Sequence, residues 1–385
     1  MTPRPHSDHQ GPFKIAQVTT ETGWRGGENQ IAILAKSLPN HIAGRKANHC
    51  VIAPAGSALQ TWAARESIDF QPWTAANDID LLAAWRLKSI AELAGIHLVH
   101  THSARAHGLA VIAKQMGARF RLVVHRRTNF PIATHLMSRW KYRHHGIDHF
   151  IAISAPSKND LFATGISPER VTVIHSAAAF RPATVGERQA ARAEQFAKLG
   201  IRDPSTILVT FAGQLEESKG IFDLVQALAN LRSPAKLHLA LAGTGPAMDK
   251  LKGQAASAIG PSTTSLLGFQ ADLRPLFAAS DIFCLPSHAE GLGTVLLEAI
   301  DAGAACCGSQ TGGIPEILID QRTGLTFPPG NIPALQRILE RLISDTHLRK
   351  TLTDQARLHV QQHFSVQGLI SELTQVYTTC LTDFF

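Results

Sequence analysis

The stretch Ser287-His288-Ala289-Glu290-Gly291-Leu292-Gly293-Thr294-Val295-Leu296-Leu297-Glu298 places two carboxylates eight positions apart. The first lies in a glycine-bearing loop and the second just inside a predicted helix. An apolar run over 281–285 comes directly before and predicts a strand. A strand, a loop and a helix in this order put both acids at the carboxyl edge of a parallel sheet, where open α/β sheets bind ligands. Carboxylates there can accept hydrogen bonds from hydroxyl groups, and N–H groups at a helix start suit a phosphate.

Length and composition predict a globular protein of two domains. The chain has 385 residues, of which 44% are hydrophobic. No apolar run approaches eighteen residues, so the sequence predicts no transmembrane helix. Residues 1–12 are polar and lack the apolar core of a signal peptide, which predicts a disordered leader and a cytoplasmic location. The five cysteines form no CxxC pair, which disfavours a metal site.

The positive charge is concentrated in the first half of the chain. Residues 1–180 carry 20 Lys and Arg against 11 Asp and Glu, whereas residues 181–385 carry 17 against 19. No acid occurs between Glu92 and Asp148. Such a field favours an anionic partner, namely a membrane surface, a nucleic acid or a phosphorylated substrate, although a merely solvated basic face would look the same. The basic residues of this region are Arg105, Lys114, Arg119, Arg121, Arg126, Arg127, Arg139, Lys141 and Arg143.

Apolar runs alternate with helical patterns along most of the chain, which predicts βαβ units and parallel sheets. The pattern lapses between the two halves and then resumes. The predicted fold class is therefore α/β, with two doubly wound Rossmann-like domains. The expected divisions are an N-terminal domain over 13–180, a linker with some helix over 181–205, a C-terminal domain over 206–365 and a final helix over 366–385.

Glycine follows the predicted strands of the second half repeatedly. These loops contain Gly213, Gly243 with Gly245, Gly268, Gly291 with Gly293, and Gly312. Several such loops on one sheet edge favour a nucleotide site, and Lys219 could neutralise a diphosphate. Each feature also has an ordinary explanation. A glycine after a strand is usually turn chemistry, Gly243-Thr244-Gly245 lacks the third glycine of GxGxxG, and Glu298 could be a first-turn acid favoured by the helix dipole.

Taken in order, these motifs resemble the retaining GT-B glycosyltransferases of family 4, the glycosyl transferases group 1. The pair in Glu290-Gly-Leu-Gly-Thr-Val-Leu-Leu-Glu298 resembles that family's Glu-x7-Glu signature. The segment from Gly312-Gly313-Ile314-Pro315-Glu316 and the loop from Gly213 to Gly220 also match. In the first half, Trp24-Arg25-Gly26-Gly27-Glu28-Asn29 and Val123-Val124-His125 fit more weakly. The resemblance implies two domains facing across a cleft, with the C-terminal helix crossing back onto the first.

The resemblance also implies roles for individual residues. Glu290 would hold hydroxyls of the transferred sugar, Lys219 would offset the leaving diphosphate, and His125 would reach across the cleft to the donor sugar. Glu298 would bind the ribose hydroxyls. The other implied donor-binding residues are Gly213, Gln214, Gly243, Gly245, Gly268, Phe269, Gly291, Leu292, Gly293 and Thr294. The implied acceptor or phosphate contacts are Gly26, Gly27, Arg126 and Arg127.

One position departs from the family pattern. Arginine usually follows the glycine of the diphosphate loop, and this chain has Gln214 there. An amide can donate hydrogen bonds but brings no charge. Either Lys219 suffices, or a basic side chain from the other domain contributes. The candidates are Arg25, Arg126 and Arg127.

We therefore expect a retaining hexosyltransferase that uses a nucleotide-diphosphate sugar and a glycan or lipid-linked acceptor, in bacterial cell-envelope polysaccharide or lipopolysaccharide synthesis. No Asp-x-Asp motif occurs in the half of the chain that is expected to bind the donor, so we expect no metal and no cofactor. The basic half, with Trp140 and Tyr142, fits peripheral attachment to an anionic membrane, though both rings also fit a helix core face. The alternatives are a GT-B-fold epimerase or phosphorylase, a nucleotide-dependent oxidoreductase, and a nucleic-acid-binding protein, for which no recognised module is present.

Overall fold

The computed structural model describes residues 11–128, 132, 136–231, 235–260 and 263–382. Most of the leader predicted over 1–12 lies outside these residues. The first domain alternates strands and helices as the sequence predicts. Its strands are β1 (Phe13–Val18), β2 (His41–Ile42), β3 (Arg45–Ala53), β4 (Asp69–Pro72), β5 (Leu98–Thr101), β6 (Arg121–Arg126), β7 (His149–Ala152) and β8 (Val171–Val173). Its helices are α1 (Gly26–Ser37), α2 (Ala58–Arg65), α3 (Leu81–Ala94), α4 (Ala104–Gln115), α5 (Leu136–Arg143) and α6 (Ala155–Ala163).

The sheet of the first domain is parallel except for the short strand β2. Its strand order is β2-β3-β1-β5-β6-β7-β8, with β4 also paired to β3. Strand order therefore reverses at β1 and β5, which creates a crevice at their carboxyl ends. One face packs apolar residues against α3 and α4, and the other packs Ile15, Leu98 and Val123 against α1.

The second domain has the same plan. Its strands are β9 (Ile207–Ala212), β10 (Leu237–Ala242), β11 (Thr264–Gly268), β12 (Ile282–Leu285), β13 (Ala305–Ser309) and β14 (Leu325–Phe327). The helices after the first domain are α7 (Val185–Leu199), α8 (Ile221–Ala229), α9 (Met248–Ala258), α10 (Arg274–Ala279), α11 (Val295–Ala302), α12 (Ile314–Ile317), α13 (Ile332–Ser344), α14 (Thr346–His363) and α15 (Val366–Thr382).

The second sheet is parallel and places the two-carboxylate segment at its crevice. Its order is β11-β10-β9-β12-β13-β14, so the strand order reverses between β9 and β12. The loop after β9 contains Gly213, and the loop after β12 contains Glu290. Both loops thus lie at the carboxyl edge where ligands bind in this architecture.

The segment expected as a linker over 181–205 contains a full helix, α7. Thr184 caps this helix with a capping box. The Thr184 hydroxyl accepts from the N–H of Glu187, and the Glu187 carboxylate accepts from the N–H of Thr184. Arg188 donates to the carbonyls of Ala302 and Ser280, and Arg192 pairs with Asp281 at 2.9 Å. These bonds attach α7 to the second domain.

The last helix returns to the first domain, as the family resemblance implies. Leu369, Leu373, Val376 and Tyr377 of α15 pack in one core with Phe13 and Ile15 of β1. The α/β class and the GT-B arrangement of the chain are thereby confirmed.

Four of the strands and α-helices of the first domain are not predicted by the apolar pattern, and one of them is the two-residue strand β2. Strand β4 is an edge strand with half-exposed or exposed residues, and α2 and α5 each bury few side chains. A short element that buries little apolar surface leaves a weak periodic signal. Within the part of the chain that the structure describes, no helix is long and apolar enough to cross a membrane.

Candidate functional site

The glycine-bearing loops of the second domain pack backbone against backbone. Gly220 has a φ of +63°, and a Cβ there would collide with the carbonyl of Pro286. Gly312 has a φ of +53°, and a Cβ there would collide with the carbonyl of Glu290. Any side chain at these positions would separate the loops. The contacts hold the loops after β9, β12 and β13 together around one crevice.

Glu290 lies at the centre of this crevice and is held from three sides. Its carboxylate accepts from Lys219 Nζ at 2.9 Å, from Ser287 Oγ at 3.2 Å and from the N–H of Gly291 at 3.2 Å. The side chains of Glu290 and Lys219 are 18% and 21% exposed, so both still reach the cleft. Two predicted residues are therefore brought together. Lys219 is already paired with a carboxylate, which uses part of its capacity to attract a phosphate.

The loop between the two acids presents backbone donors. In the part of the chain that the structure describes, the N–H groups of Leu292 and Gly293 have no hydrogen-bond partner. Donors left open at a strand-to-helix turn can hold an anionic oxygen. The role that the resemblance implies for both residues stays a prediction.

Glu298 lies in the first turn of α11, next to Leu297 and exposed to the cleft. The surrounding protein partly desolvates its carboxylate, and the Asp272 carboxylate lies close enough to repel it. These two effects raise the pKa of Glu298 to about 7. Hydroxyl donors would stabilise the ionised form. The Glu298 carboxyl is therefore suited to bind a diol, and diol binding should release its proton.

The remaining predicted donor residues lie around the same edge. The N–H of Gly243 donates to the carbonyl of Gly268 at 2.7 Å, and a Cβ on Gly245 would collide with the carbonyl of Leu215. Gln214 is exposed at the cleft, and the Phe269 ring is 63% exposed just after β11. An exposed ring at this edge is available to a planar base.

The two domains touch beside this crevice. A Cβ on Gly26, at the start of α1, would lie 3.1 Å from Thr294 Oγ1, and Gly27 is next to it. A Cβ on Gly291 would collide with the backbone carbonyl of Arg127. Glycines at these positions let the first domain approach the loop after β12 in the second domain. Predicted residues from both halves of the chain are thereby brought together.

Arg127 brings a cation to this contact. Its guanidinium donates to His102 Nδ1 at 2.9 Å and to Ser176 Oγ at 3.3 Å. No carboxylate lies within ion-pair distance of it among the described residues, and Glu28 acts only at longer range. Burial lowers the pKa of Arg127 to about 10, so it stays charged at neutral pH.

Arg126 is placed differently, and this corrects its assignment as a phosphate contact. It is buried at the end of β6, bonds to Tyr142 and pairs with Asp160 at 3.1 Å. Neighbouring strand residues point to opposite faces, so Arg126 is directed away from the face of His125. Tyr142 is buried in the same core, which assigns this ring to the helix core face.

His125 lies in a buried polar layer that the motif analysis did not identify. His102 bonds to Gln17 Oε1 at 2.7 Å, and His100 bonds to the Tyr377 hydroxyl at 2.7 Å. Neither ring nitrogen of His125 has a hydrogen-bond partner among the described residues. Burial and the Arg127 charge hold the pKa of His125 and His100 well below the usual range, so both rings are neutral. The sequence signal is His100-Thr101-His102 at the end of a strand.

Glu316 is a second residue whose role was not predicted, although its motif was noted. Its carboxylate accepts from the N–H of Ala155 at 2.9 Å and lies 2.6 Å from His175 Nε2. Both partners belong to the first domain. Glu316 therefore links the domains in this arrangement.

Comparison with known proteins decides the family. Residues 191–359 match the family "Glycosyl transferases group 1", and residues 24–178 match "Glycosyltransferase Family 4". The chain belongs to the family 4 glycosyltransferases. A curated relative of this glycosyltransferase is the N-acetyl-alpha-D-glucosaminyl L-malate synthase of Bacillus anthracis, 27% identical over 79% of the chain and 80% of the relative. Another is the lipopolysaccharide core biosynthesis glycosyltransferase LpsE of Rhizobium meliloti, 28% identical over 44% of the chain and 49% of the relative.

Solved structures confirm the fold of this glycosyltransferase. HepE of Anabaena, crystallised with UDP and glucose, superimposes with a TM-score of 0.82. Its sequence is 22% identical, and the match covers 95% of this chain and all of that one. The identity is low, so the likeness concerns the GT-B architecture.

Proposed function

We propose that this glycosyltransferase moves a hexosyl group from a nucleotide-diphosphate sugar to a hydroxyl of a glycan or lipid-linked acceptor, with retention at the anomeric carbon. The supporting observation is the crevice at β9 and β12. It combines a preorganised carboxylate at Glu290, open N–H donors at Leu292 and Gly293, and the diol-binding candidate Glu298. The HepE complexes with UDP and UDP-glucose support a nucleotide-sugar donor of this kind.

The proposed reaction needs little from the protein beyond positioning and charge. The anomeric carbon–oxygen bond to the diphosphate breaks while the acceptor oxygen attacks from the same face. The acceptor proton passes to the leaving phosphate oxygen, so no protein base is needed, and the direct attack by the acceptor leaves no place for a protein nucleophile. Negative charge develops on the diphosphate, and groups placed to meet it lower the barrier. Glu290 holds the sugar hydroxyls at the reacting face, and Arg127 and Lys219 supply positive charge without a metal.

A donor screen tests the proposal directly. UDP-, GDP- and ADP-sugars are added to the protein, and thermal unfolding is followed in the presence of a chelator. The correct donor stabilises the native state by mass action and raises the unfolding temperature. It should then yield nucleoside diphosphate and a new glycosidic bond, whose anomeric configuration is read by NMR. Epimerised sugar nucleotide without transfer, or activity abolished by the chelator, would contradict the proposal.

Donor affinity should depend on pH through Glu298. If only the carboxylate form binds the ribose hydroxyls, a pKa of about 7 predicts roughly tenfold tighter nucleoside diphosphate binding at pH 8 than at pH 6. Titration calorimetry in two buffers of different ionisation enthalpy should also show proton release. Glu298→Gln should bind nucleoside diphosphate more weakly and should lose most of this slope of affinity against pH. An unchanged slope in Glu298→Gln would exclude Glu298 as its source.

Exposed apolar and basic side chains occur on and beside the adjoining helices α3 and α5 of the first domain, and we name this set the basic apolar patch. A Cβ on Gly108 of α4 would contact both Lys141 Cδ at 3.4 Å and the carbonyl of Asp78 at 3.5 Å, so α5 adjoins the start of α3. Both helices begin at the carboxyl edge of the sheet. The patch comprises the exposed side chains Ile79, Leu81, Leu82, Trp85, Leu136, Met137 and Trp140, with Arg86, Arg139 and Arg143 beside them.

This surface supports the proposal that the enzyme works at an anionic membrane, on its cytoplasmic face, and takes a lipid-linked acceptor of envelope or lipopolysaccharide synthesis. Apolar side chains insert at the lipid interface, while arginines attract anionic headgroups. The likeness to LpsE supports this pathway.

Replacing the two exposed tryptophans should weaken membrane binding. The double variant Trp85→Ser/Trp140→Ser should sediment with vesicles of phosphatidylcholine and phosphatidylglycerol at least ~10-fold less than the wild type, because each indole loses its apolar burial. High salt should weaken wild-type binding as well. The control is Leu358→Ser, an apolar residue of the second domain that is about as exposed as Trp85. Equal sedimentation of all three proteins would exclude the patch as the docking surface.

A further inference from the structure

A cluster of three histidines lies beneath the cleft, and nothing in the proposed transfer reaction uses it as a whole. His100, His102 and His125 each offer one ring nitrogen, and these three atoms lie within 4.8 Å of one another. His100 and His102 are two positions apart at the end of β5, and His125 is on the adjacent strand β6, so all three side chains share one sheet face.

The cluster contains buried polar atoms without partners. His100 Nε2 and both nitrogens of His125 have no hydrogen-bond partner among the described residues, and His125 is only 5% exposed. A buried ring nitrogen without a hydrogen bond needs an explanation, because removing a polar atom from water without a new partner costs free energy. Three neutral imidazoles in contact are a ligand set for a borderline divalent metal.

The groups behind the histidines are arranged as supports for metal ligands. The Tyr377 hydroxyl lies 2.7 Å from His100 Nδ1, and Gln17 Oε1 lies 2.7 Å from His102 Nε2. Each oxygen can accept the proton of the nitrogen that does not bind metal, which fixes the ring and leaves a lone pair on the other nitrogen. Tetrahedral bonds of about 2.1 Å separate the ligands by about 3.4 Å, so the rings, of which His100 and His125 lie parallel to within 4°, must rotate to direct their lone pairs at one ion.

We propose that His100, His102 and His125 form an inhibitory site for a borderline divalent metal ion such as Zn²⁺. Arg127 donates to His102 Nδ1, which is the nitrogen that Gln17 leaves available. A metal there takes this lone pair and repels the guanidinium. It also occupies His125, for which the family resemblance implies a contact with the donor sugar. Metal binding therefore displaces the Arg127 guanidinium from His102 and occupies His125 at the same time. The inhibitory half of this inference rests on the proposed function, whereas the binding half does not.

Binding is tested on untagged protein treated with a chelator and then freed of it. Co²⁺ serves as the spectroscopic probe and Zn²⁺ as the calorimetric one. The wild type should bind one ion per chain, and Co²⁺ should show the visible absorption of a low-coordinate imidazole site. His100→Ala, His125→Gln and the supporting variant Gln17→Leu should each weaken binding by about tenfold or more. The control is His363→Ala, since His363 is an exposed histidine on α14 that lies beside the half-buried His359.

Inhibition is tested on the same proteins. Zn²⁺ should inhibit sugar transfer by the wild type at concentrations that match its dissociation constant. It should also weaken the binding of nucleoside diphosphate. Inhibition of Gln17→Leu should require a Zn²⁺ concentration about tenfold higher. Normal binding of one ion in His100→Ala and His125→Gln, or the loss of binding only in His363→Ala, would overturn the site. Tight binding without effect on transfer or on nucleotide affinity would overturn its inhibitory role. A protein without transfer activity that still binds one ion through these histidines would refute the proposed function and leave the site standing.

Discussion

Glu290→Ala should lower kcat by about 10²- to 10³-fold while nucleoside diphosphate binding is kept or becomes tighter. The carboxylate is held by Lys219, Ser287 and the N–H of Gly291, so it meets the sugar without reorganising. Losing one preorganised group that acts in the transition state has an effect of this size. Lys219 loses its partner in the variant and becomes free to attract the diphosphate. Steady-state kinetics with the donor found in the screen, together with calorimetry of the nucleoside diphosphate, give both quantities.

Glu217→Ala is the matched control for Glu290→Ala. Glu217 also pairs with a lysine, Lys250 at 2.6 Å, in the same loop region, but both side chains are exposed. An exposed pair contributes little, so this variant should transfer sugar at the wild-type rate. If Glu290→Ala folds normally and keeps the wild-type kcat, the assignment of Glu290 to the reacting face is wrong.

The second domain could be predicted well from the sequence because its signals are local. An apolar strand, a glycine-bearing loop and a helix with an acid in its first turn occur within about twenty residues around Glu290 and Glu298. The sheet then needs only parallel order to bring both acids to one edge. The same reasoning put Lys219 in a loop at this edge, although its ion pair with Glu290 depends on a turn that ends with the positive φ of Gly220.

The buried polar layer of the first domain could not be predicted in the same way. His100 bonds to Tyr377, 277 residues away, and this contact exists only because α15 crosses back. No local pattern records it. One local signal was available, however. Residues two apart on a strand share a face, which groups His100 with His102 and separates Arg126 from His125.

The structure favours Arg127 as the cation that stands in for the arginine missing at position 214. Arg126 is held by Asp160, and Lys219 is held by Glu290. Arg25 is exposed at the start of α1. Arg127 instead bonds to the neutral groups His102 and Ser176, so its charge remains available to a leaving diphosphate.

Arg127→Met should therefore lower kcat by about 10²- to 10³-fold, since it removes a charge from the transition state but keeps the apolar stem. Adding Gln214→Arg to this variant should restore about tenfold or more of the loss, because it returns a guanidinium to the same diphosphate from the other domain. Gln214→Arg alone should change the kcat of the wild type little, since Arg127 already provides a cation for the diphosphate. This non-additivity is the signature of two side chains that share one task. Arg25→Met, measured beside them, should lower the rate less than threefold. Equal effects of Gln214→Arg in both backgrounds would show that Arg127 acts elsewhere, for example by holding His102 in place.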